Sequence, residues 1–158
     1  MKHALRIAGF SALYLSIPGM IAWVTGSLFI FPSLGPTAYI LAFDTKRTYT
    51  PSVVIGGHVC GVIGGLTGYL IAGPANLLQL SDPLSTVGLQ LVAGAVIALL
   101  ITAFLMVRLQ VSHPPAGATT LIVSLGIMPH WLDGVTILLA VSVMFSAYRF
   151  SQRFLPAE

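Results

Sequence analysis

Two histidines and a run of hydroxyl side chains are the residues most able to do chemistry in this almost uncharged chain. Residues 112–120 read Ser-His-Pro-Pro-Ala-Gly-Ala-Thr-Thr, which places an imidazole at His113 beside two prolines and three hydroxyls. Imidazole can donate, accept or exchange a proton near neutral pH. In a dry pocket His113 can therefore pair with an anion or relay a proton, and His58 is the second candidate for a relay. The alternative is that His113 satisfies backbone carbonyls freed by the prolines.

The two prolines decide how this segment is built. Pro114 and Pro115 must end any helix that arrives from upstream, but they suit the first turn of a new one. The apolar residues 116–128 then form a half-helix of roughly 20 Å, too short for a hydrocarbon core of about 30 Å. A broken helix at membrane depth is tolerated only where it is buried in protein or lines a water-filled cavity. Residues 112–120 are therefore the leading candidate for a transport or binding site.

Composition places the chain in a membrane. Of its 158 residues 56% are hydrophobic and 7% are charged, against about a quarter charged in soluble domains. We expect a single membrane domain, residues 1–158. The seven Lys and Arg residues are scattered near segment ends, which favours a role in orienting the protein and gives no basic cluster for nucleic acid. The lone Cys60 excludes an intramolecular disulfide.

The apolar runs predict an all-α membrane protein with four transmembrane helices and two re-entrant half-helices. A breaker-rich stretch at 32–36 separates the first span from a remainder at 37–43 that is too short to cross. Trp131 suits an interfacial anchor, and Asp133 suits an N-cap. The four spans are expected at 7–31, 51–73, 84–107 and 134–150.

The order span, half-helix, span occurs twice, which suggests an internal repeat unless the similarity is a coincidence of a Pro- and Gly-rich chain. With two full crossings per half, the repeats would be parallel, and the 74–83 loop would share a face with both termini. Four basic residues on that face against three on the other favour cytoplasmic termini. We expect location in a bacterial inner (plasma) membrane.

The starts of the two half-helices are the predicted binding site. A helix N-terminus offers unpaired N–H groups and a positive dipole end, which favour a small anion. Arg108 either helps to attract the anion or extends to the membrane interface. The alternative for the hydroxyls is that they cap and connect neighbouring helices. The expected donors are Ser33, Gly35 and Thr37 at one end, and His113, Gly117, Ala118, Thr119 and Thr120 at the other.

The second span is rich in glycine. Gly57, Gly61 and Gly65 form one small-residue face, and Gly64 and Gly68 form another. This helix is expected to lie at the centre of the packing or at a subunit interface, and we expect a homo-oligomer. No Cys, Asp or Glu pattern accompanies the histidines, so neither a metal, a cofactor nor a catalytic triad is expected.

Two stretches of this chain resemble the HPP family of integral membrane proteins. They are His113-Pro114-Pro115 within residues 112–120, and Phe-Pro-Ser-Leu-Gly-Pro-Thr-Ala at 31–38. The resemblance implies four transmembrane helices, and the association of plastid and cyanobacterial members with nitrite implies a nitrite transporter. The predicted function is transport of a small monovalent anion through the bilayer, nitrite first, by a carrier or a channel. The alternatives are a membrane redox or metal/haem-binding subunit that uses both histidines, and a non-transporting scaffold.

Overall fold

The described part of the chain is a bundle of four long and two short helices. A computed structural model describes residues 1–43, 49–73, 75–76 and 82–153, and all the regular structure in these ranges is helical. The four long helices are long and apolar enough to cross a membrane. They are α1 (Lys2–Thr25), α3 (Pro51–Ala72), α4 (Thr86–Arg108) and α6 (Trp131–Ser151). The short ones are α2 (Ile30–Phe43) and α5 (Gly117–Ser124), the latter preceded by a 3-10 turn, Pro114–Ala116. The all-helical class and the order long, short, long, twice over, are confirmed.

Several boundaries differ from the prediction for local reasons. Helix α1 ends at Thr25 because Gly26 adopts a left-handed conformation with φ of 72°. Helix α2 begins at Ile30 and not at residue 37, because Pro32 lies in its first turn, where a missing N–H costs little. Helix α5 ends at Ser124, shortly before the left-handed turn at Gly126.

The start of α6 also differs from the prediction. The helix begins at Trp131, three residues earlier than expected. Asp133 is therefore not the N-cap but the third helical residue, and its carboxylate accepts a hydrogen bond of 3.0 Å from the His130 N–H. A carboxylate in this position pairs a free donor at the helix start. Trp131 is exposed, as expected of an interfacial anchor.

The long helices define two ends of the bundle. At one, the loop end, Gly26 and Asp133 line the same cavity, and Gly126 contacts the backbone of Ala75. At the other, the terminal end, Pro51 lies beside Arg149 and Arg153. Helices α1 and α3 thus run from the terminal end to the loop end, whereas α4 and α6 run back.

The short helices run against the long helices that precede them. Helix α2 starts at the loop end beside α1, and its last turn, with Tyr39 and Phe43, lies against His3 and Ile7 at the start of α1. The next helix, α3, starts at the terminal end. The Pro114–Ser124 segment begins near the start of α3, where Val111 packs on Gly56, and leads toward the loop end. Re-entry of the short helices is therefore not confirmed, since the chain leaves each one toward the opposite end.

This path corrects the expected placement of the 74–83 loop and of the charges. Ala75 lies at the loop end, opposite the terminal end, so this residue of the loop does not share a face with the end of α6. Arg108 ends α4 at the terminal end, together with the other arginines of the described residues. The acidic residues that the structure describes, Asp82 and Asp133, lie at the loop end.

The two halves of the chain are related by inversion and not by the expected parallel repeat. Each half consists of three helices that run in alternating directions. Because three is an odd number, the first helix of the second half, α4, runs opposite to the first helix of the first half, α1. Packing follows the same rule: α1 contacts α2 and α6, while α4 contacts α5 and α3. Likewise α2 packs on α6 as α5 packs on α3. Inverted repeats of this kind are common in secondary transporters, which bind substrate between the halves.

Both glycine faces of α3 are covered by other helices of the same chain. A Cβ on Gly61 would lie 2.9 Å from the Ala116 carbonyl oxygen, and one on Gly68 would lie 2.6 Å from the Ala98 Cβ. One glycine face thus receives α5 and the 3-10 turn, and the other receives α4. Backbones approach closely at such small residues. Any contact between subunits must therefore use a surface other than these two faces.

Substitution of Gly68 should destabilise the bundle. In Gly68→Ala the new Cβ would overlap Ala98 of α4, and we expect the free energy of unfolding to fall by about 1–3 kcal/mol. Gly9→Ala in α1 is the matched control, because nothing lies within 4 Å of a Cβ there. Thermal unfolding of purified protein in detergent measures both. Equal melting temperatures for the two variants would contradict the packing described.

The direction of the helices predicts which residues are reached from the same side of the membrane. In a Cys60→Ala background, single cysteines at Asp82 and at Arg153 should be labelled by an impermeant maleimide from opposite sides. A cysteine at His3 should be labelled from the same side as one at Arg153. Labelling of all three from one side would overturn the path of the chain.

Candidate functional site

A chain of buried hydrogen bonds joins the two short segments through α3. The Thr37 hydroxyl of α2 lies 2.9 Å from Nε2 of His58 and 3.1 Å from Nε2 of His113. Nδ1 of His58 lies 2.8 Å from the Thr119 hydroxyl of α5. The relative exposure of all four residues is at most 1%. We call Thr37, His58, His113 and Thr119 the histidine–threonine chain.

The sequence around His113 explains why its ring reaches this chain. Helix α4 ends at Arg108, and Pro114 and Pro115 start the 3-10 turn, which leaves His113 in a non-helical conformation (φ −134°, ψ 83°) just before that turn. Gly57 gives it room, because a Cβ there would lie 2.5 Å from the His113 Cβ. The ring then faces His58 one residue further along α3, with ring centroids 5.5 Å apart.

A second set of hydroxyls lies beside the first. The Thr102 hydroxyl of α4 lies 3.1 Å from that of Thr120 and 3.4 Å from the Cys60 carbonyl oxygen, and its single hydrogen can be donated to one of them at a time. The Thr120 hydroxyl in turn donates to the Ala116 carbonyl at 3.3 Å. These bonds connect α3, α4 and α5 where the glycines bring them together. A groove between α4 and the 3-10 turn, lined in part by Ser112 and Gly117, reaches Thr102 from outside.

The structure brings together only part of the predicted site. Thr37, His113, Thr119 and Thr120 lie in the two hydrogen-bonded sets, and so does His58. Ser33 is buried, but its hydroxyl donates to the Ile30 carbonyl of its own helix. Four other candidates do not contribute a polar side chain to either set: Gly35, Gly117, Ala118 and the exposed Arg108.

The backbone donors at the two helix starts are already paired. In α2 the N–H groups of Ile30 and Ser33 donate to carbonyls of the preceding turn at 3.1 and 3.3 Å. In the second segment the N–H of Ala116 donates to the His113 carbonyl at 3.0 Å, and Pro114 and Pro115 have no N–H. The N–H of Gly117 is bonded to the proline carbonyls. An anion at either helix start would therefore compete with existing hydrogen bonds at these positions.

Two residues of the site were missed from the sequence. Thr102 is buried, and it follows Gly94 and Ala98 at intervals of four, a small-residue pattern on α4 that would have indicated a packed polar position. Tyr49 is also buried, and its ring meets the His113 ring edge-on, with centroids 6.2 Å apart. No sequence pattern links Tyr49 to a histidine 64 positions later.

The chemistry open to this site is hydrogen bonding and proton exchange. Among the residues described as buried, the polar ones are hydroxyl side chains and the two histidines, and none is a carboxylate or a fixed cation. In the described ranges, no three or more His, Cys, Asp and Glu side chains group in a way that would hold a metal ion. The predicted redox or metal/haem alternative stays a prediction.

Loss of the Thr102 hydroxyl should weaken the bundle. Thr102→Val keeps the volume but leaves the Thr120 hydroxyl and the Cys60 carbonyl without this partner, at a cost of about 0.5–2 kcal/mol in unfolding free energy. Thr102→Ser should recover most of it. Thr136→Val is the control, since the Thr136 hydroxyl bonds only the Leu132 carbonyl of its own helix. The measurement is again thermal unfolding in detergent. A Thr102→Val protein as stable as the control would mean that the bond contributes nothing.

Comparison with known proteins identifies the family. No curated protein and no solved structure matches the chain significantly. The family model described as the HPP transmembrane region matches residues 1–154. This range includes all six helices and both hydrogen-bonded sets. The chain therefore belongs to the HPP family of integral membrane proteins.

Proposed function

We propose that this protein transports a small monovalent anion across the membrane, with nitrite as the first substrate to test. The observation that carries the proposal is the histidine–threonine chain, which buries two imidazoles between helices of both halves of the bundle. Ionisable side chains are costly inside a membrane protein and commonly mark a substrate or proton pathway. Nitrite is the choice that the resemblance to other HPP proteins implies.

The side chains of the histidine–threonine chain suit a small anion. Hydroxyls and imidazole N–H groups can replace the water that an anion loses on entering an apolar bundle. No carboxylate is among the buried residues described, so nothing there repels a negative charge. In this proposal His113 and the hydroxyls of Thr37, Thr119 and Thr120 bind the anion. The groove lined by Thr102 and Gly117 reaches the neighbouring hydroxyl set from outside.

The charges favour one orientation. Arg6, Arg108, Arg149 and Arg153 lie at the terminal end, whereas Asp82 and Asp133 lie at the loop end. Cytoplasmic segments carry an excess of Lys and Arg. We therefore propose cytoplasmic termini in a plasma membrane. Arg108, which the sequence count had assigned to the opposite face, joins the described arginines at the terminal end.

The proposal keeps a homo-oligomer but not the expected interface. The glycine faces of α3 are occupied by α4 and α5. The outer sides of α1 and α4 carry exposed apolar side chains, among them Trp23, Leu100 and Phe104. These sides face lipid or a second subunit.

A non-transporting scaffold is the second candidate, and one observation favours it. Both ring nitrogens of His58 already have partners within the chain, as a purely structural histidine would. The two candidates differ in what the histidines do when an anion is supplied. Transport measurements therefore separate them.

Uptake of nitrite into proteoliposomes tests the proposal. Wild-type protein should admit nitrite faster than protein-free liposomes. His113→Ala should reduce the initial rate by about tenfold, as expected for loss of one buried hydrogen-bond partner worth about 1.4 kcal/mol. The control is Thr136→Val, which lies outside both hydrogen-bonded sets and should transport at the wild-type rate.

The outcomes are distinct. Wild-type uptake no faster than that of empty liposomes would overturn the proposal in favour of the scaffold. Normal uptake by His113→Ala would remove His113 from the mechanism but leave anion transport in place. Chloride and nitrate, tested in parallel, report whether the protein selects among small anions.

A further inference from the structure

We propose that the histidine–threonine chain is a proton relay, in which the Thr37 hydroxyl passes a proton between His58 and His113 so that one proton moves with each anion. This inference rests on the proposed function and adds its coupling ion. It follows from the geometry of the three hydrogen bonds and from the number of hydrogens available to make them.

The Thr37 hydroxyl lies between two ring nitrogens but carries a single hydrogen. It can therefore donate to only one of the two Nε2 atoms, 2.9 and 3.1 Å away, and must accept from the other. If it donates to His113, then Nε2 of His58 carries a hydrogen. Nδ1 of neutral His58 then has none and accepts from the Thr119 hydroxyl, 2.8 Å away.

The opposite arrangement satisfies the same three bonds. Nε2 of His113 then donates to Thr37, the Thr37 hydroxyl donates to Nε2 of His58, and Nδ1 of His58 donates to Thr119. Every donor has become an acceptor, and no atom has lost a partner. The chain thus has two complete states that differ only in the positions of its hydrogens.

One proton crossing converts the first state into the second. A proton binds Nδ1 of His58, and the hydrogen on Nε2 of His58 moves to the Thr37 oxygen. The original Thr37 hydrogen moves to Nε2 of His113, whose Nδ1 hydrogen leaves. One proton has entered beside Thr119 and one has left at His113, so atoms and charge balance. The reverse sequence carries a proton in the other direction.

Within the described residues, no buried charged side chain lies on this path. The groups that face the two rings are each other, the hydroxyls of Thr37 and Thr119, and the ring of Tyr49, which meets His113 edge-on. The helices packed around them contribute no buried Lys, Arg, Asp or Glu in the ranges that the structure describes. None of the buried residues described is a carboxylate that would hold a proton on either ring. The transported anion is therefore its natural counterion.

The two states also fix the number of protons moved. After one crossing, each imidazole holds its hydrogen on the wrong nitrogen for a second crossing in the same direction. The rings must first return to their starting tautomers. The relay thus moves one proton per cycle, and a monovalent anion that moves with it makes transport electroneutral.

Thr37→Val tests the relay, because valine keeps the shape of threonine and removes the hydroxyl. Purified protein is placed in liposomes that contain a pH-sensitive dye, and nitrite is added at alkaline pH, where free nitrous acid is scarcest. Wild-type uptake should acidify the interior and should not respond to a potassium diffusion potential. Thr37→Val should reduce nitrite-coupled proton uptake by about tenfold or more, whereas Thr37→Ser should retain it. Thr136→Val is the control.

A second measurement does not depend on transport. Nitrogen-15 magnetic resonance of labelled protein in bilayers reports the hydrogen bonding of each ring nitrogen. Loss of the Thr37 hydroxyl should shift the Nε2 signals of both histidines together, while Nδ1 of His58 stays bonded to Thr119. Shifts in neither ring would overturn the bridge.

The failures can be told apart. Nitrite uptake without proton uptake, or coupling unchanged in a folded Thr37→Val protein, would overturn the relay and leave anion transport standing. Nitrite uptake that changes with the membrane potential would overturn the one-proton count. Absence of nitrite uptake by the wild type would overturn the proposed function and the coupling with it.

Discussion

Polar side chains enclosed by an apolar bundle must find their partners within the chain, and this requirement organises the centre of the structure. His58 cannot reach water from its position two turns inside α3, and its two ring nitrogens are met by hydroxyls from α2 and α5. Those hydroxyls can arrive only if the helices approach closely. The glycines of α3 permit that approach, so the packing of the backbone and the pairing of the imidazole depend on each other.

Length and composition predicted a large part of this fold. Counting residues at 1.5 Å each gave four spans and two helices that are too short to cross. The prolines at 114 and 115 correctly marked a broken helix. The candidates His113, Thr37 and Thr119 lie in one buried hydrogen-bonded set. The same count did not predict toward which end of the bundle the chain leaves each short helix. It gave no weight to the non-helical residues beside these helices, which extend more than 3 Å each.

The hydrogen-bond partners of the buried side chains could not be predicted from the sequence, for a physical reason. The partners of His58 lie 21 and 61 positions away, and their meeting depends on the register of three helices. That register is fixed by contacts such as Gly57 on His113 and Gly61 on Ala116, which no local pattern reports. Several backbone N–H groups at the two helix starts, among them those of Ile30, Ser33 and Ala116, already donate to carbonyls of local turns, which the sequence did not reveal.

The brevity of α5 has a consequence for how it is held in the membrane. With the preceding 3-10 turn it covers 11 residues, Pro114–Ser124, or roughly 16 Å, too little to be inserted as a span by its own hydrophobic length. Its place in the membrane therefore depends on its contacts with α3 and α4. The hydroxyl that α5 supplies to Nδ1 of His58 depends on the same packing.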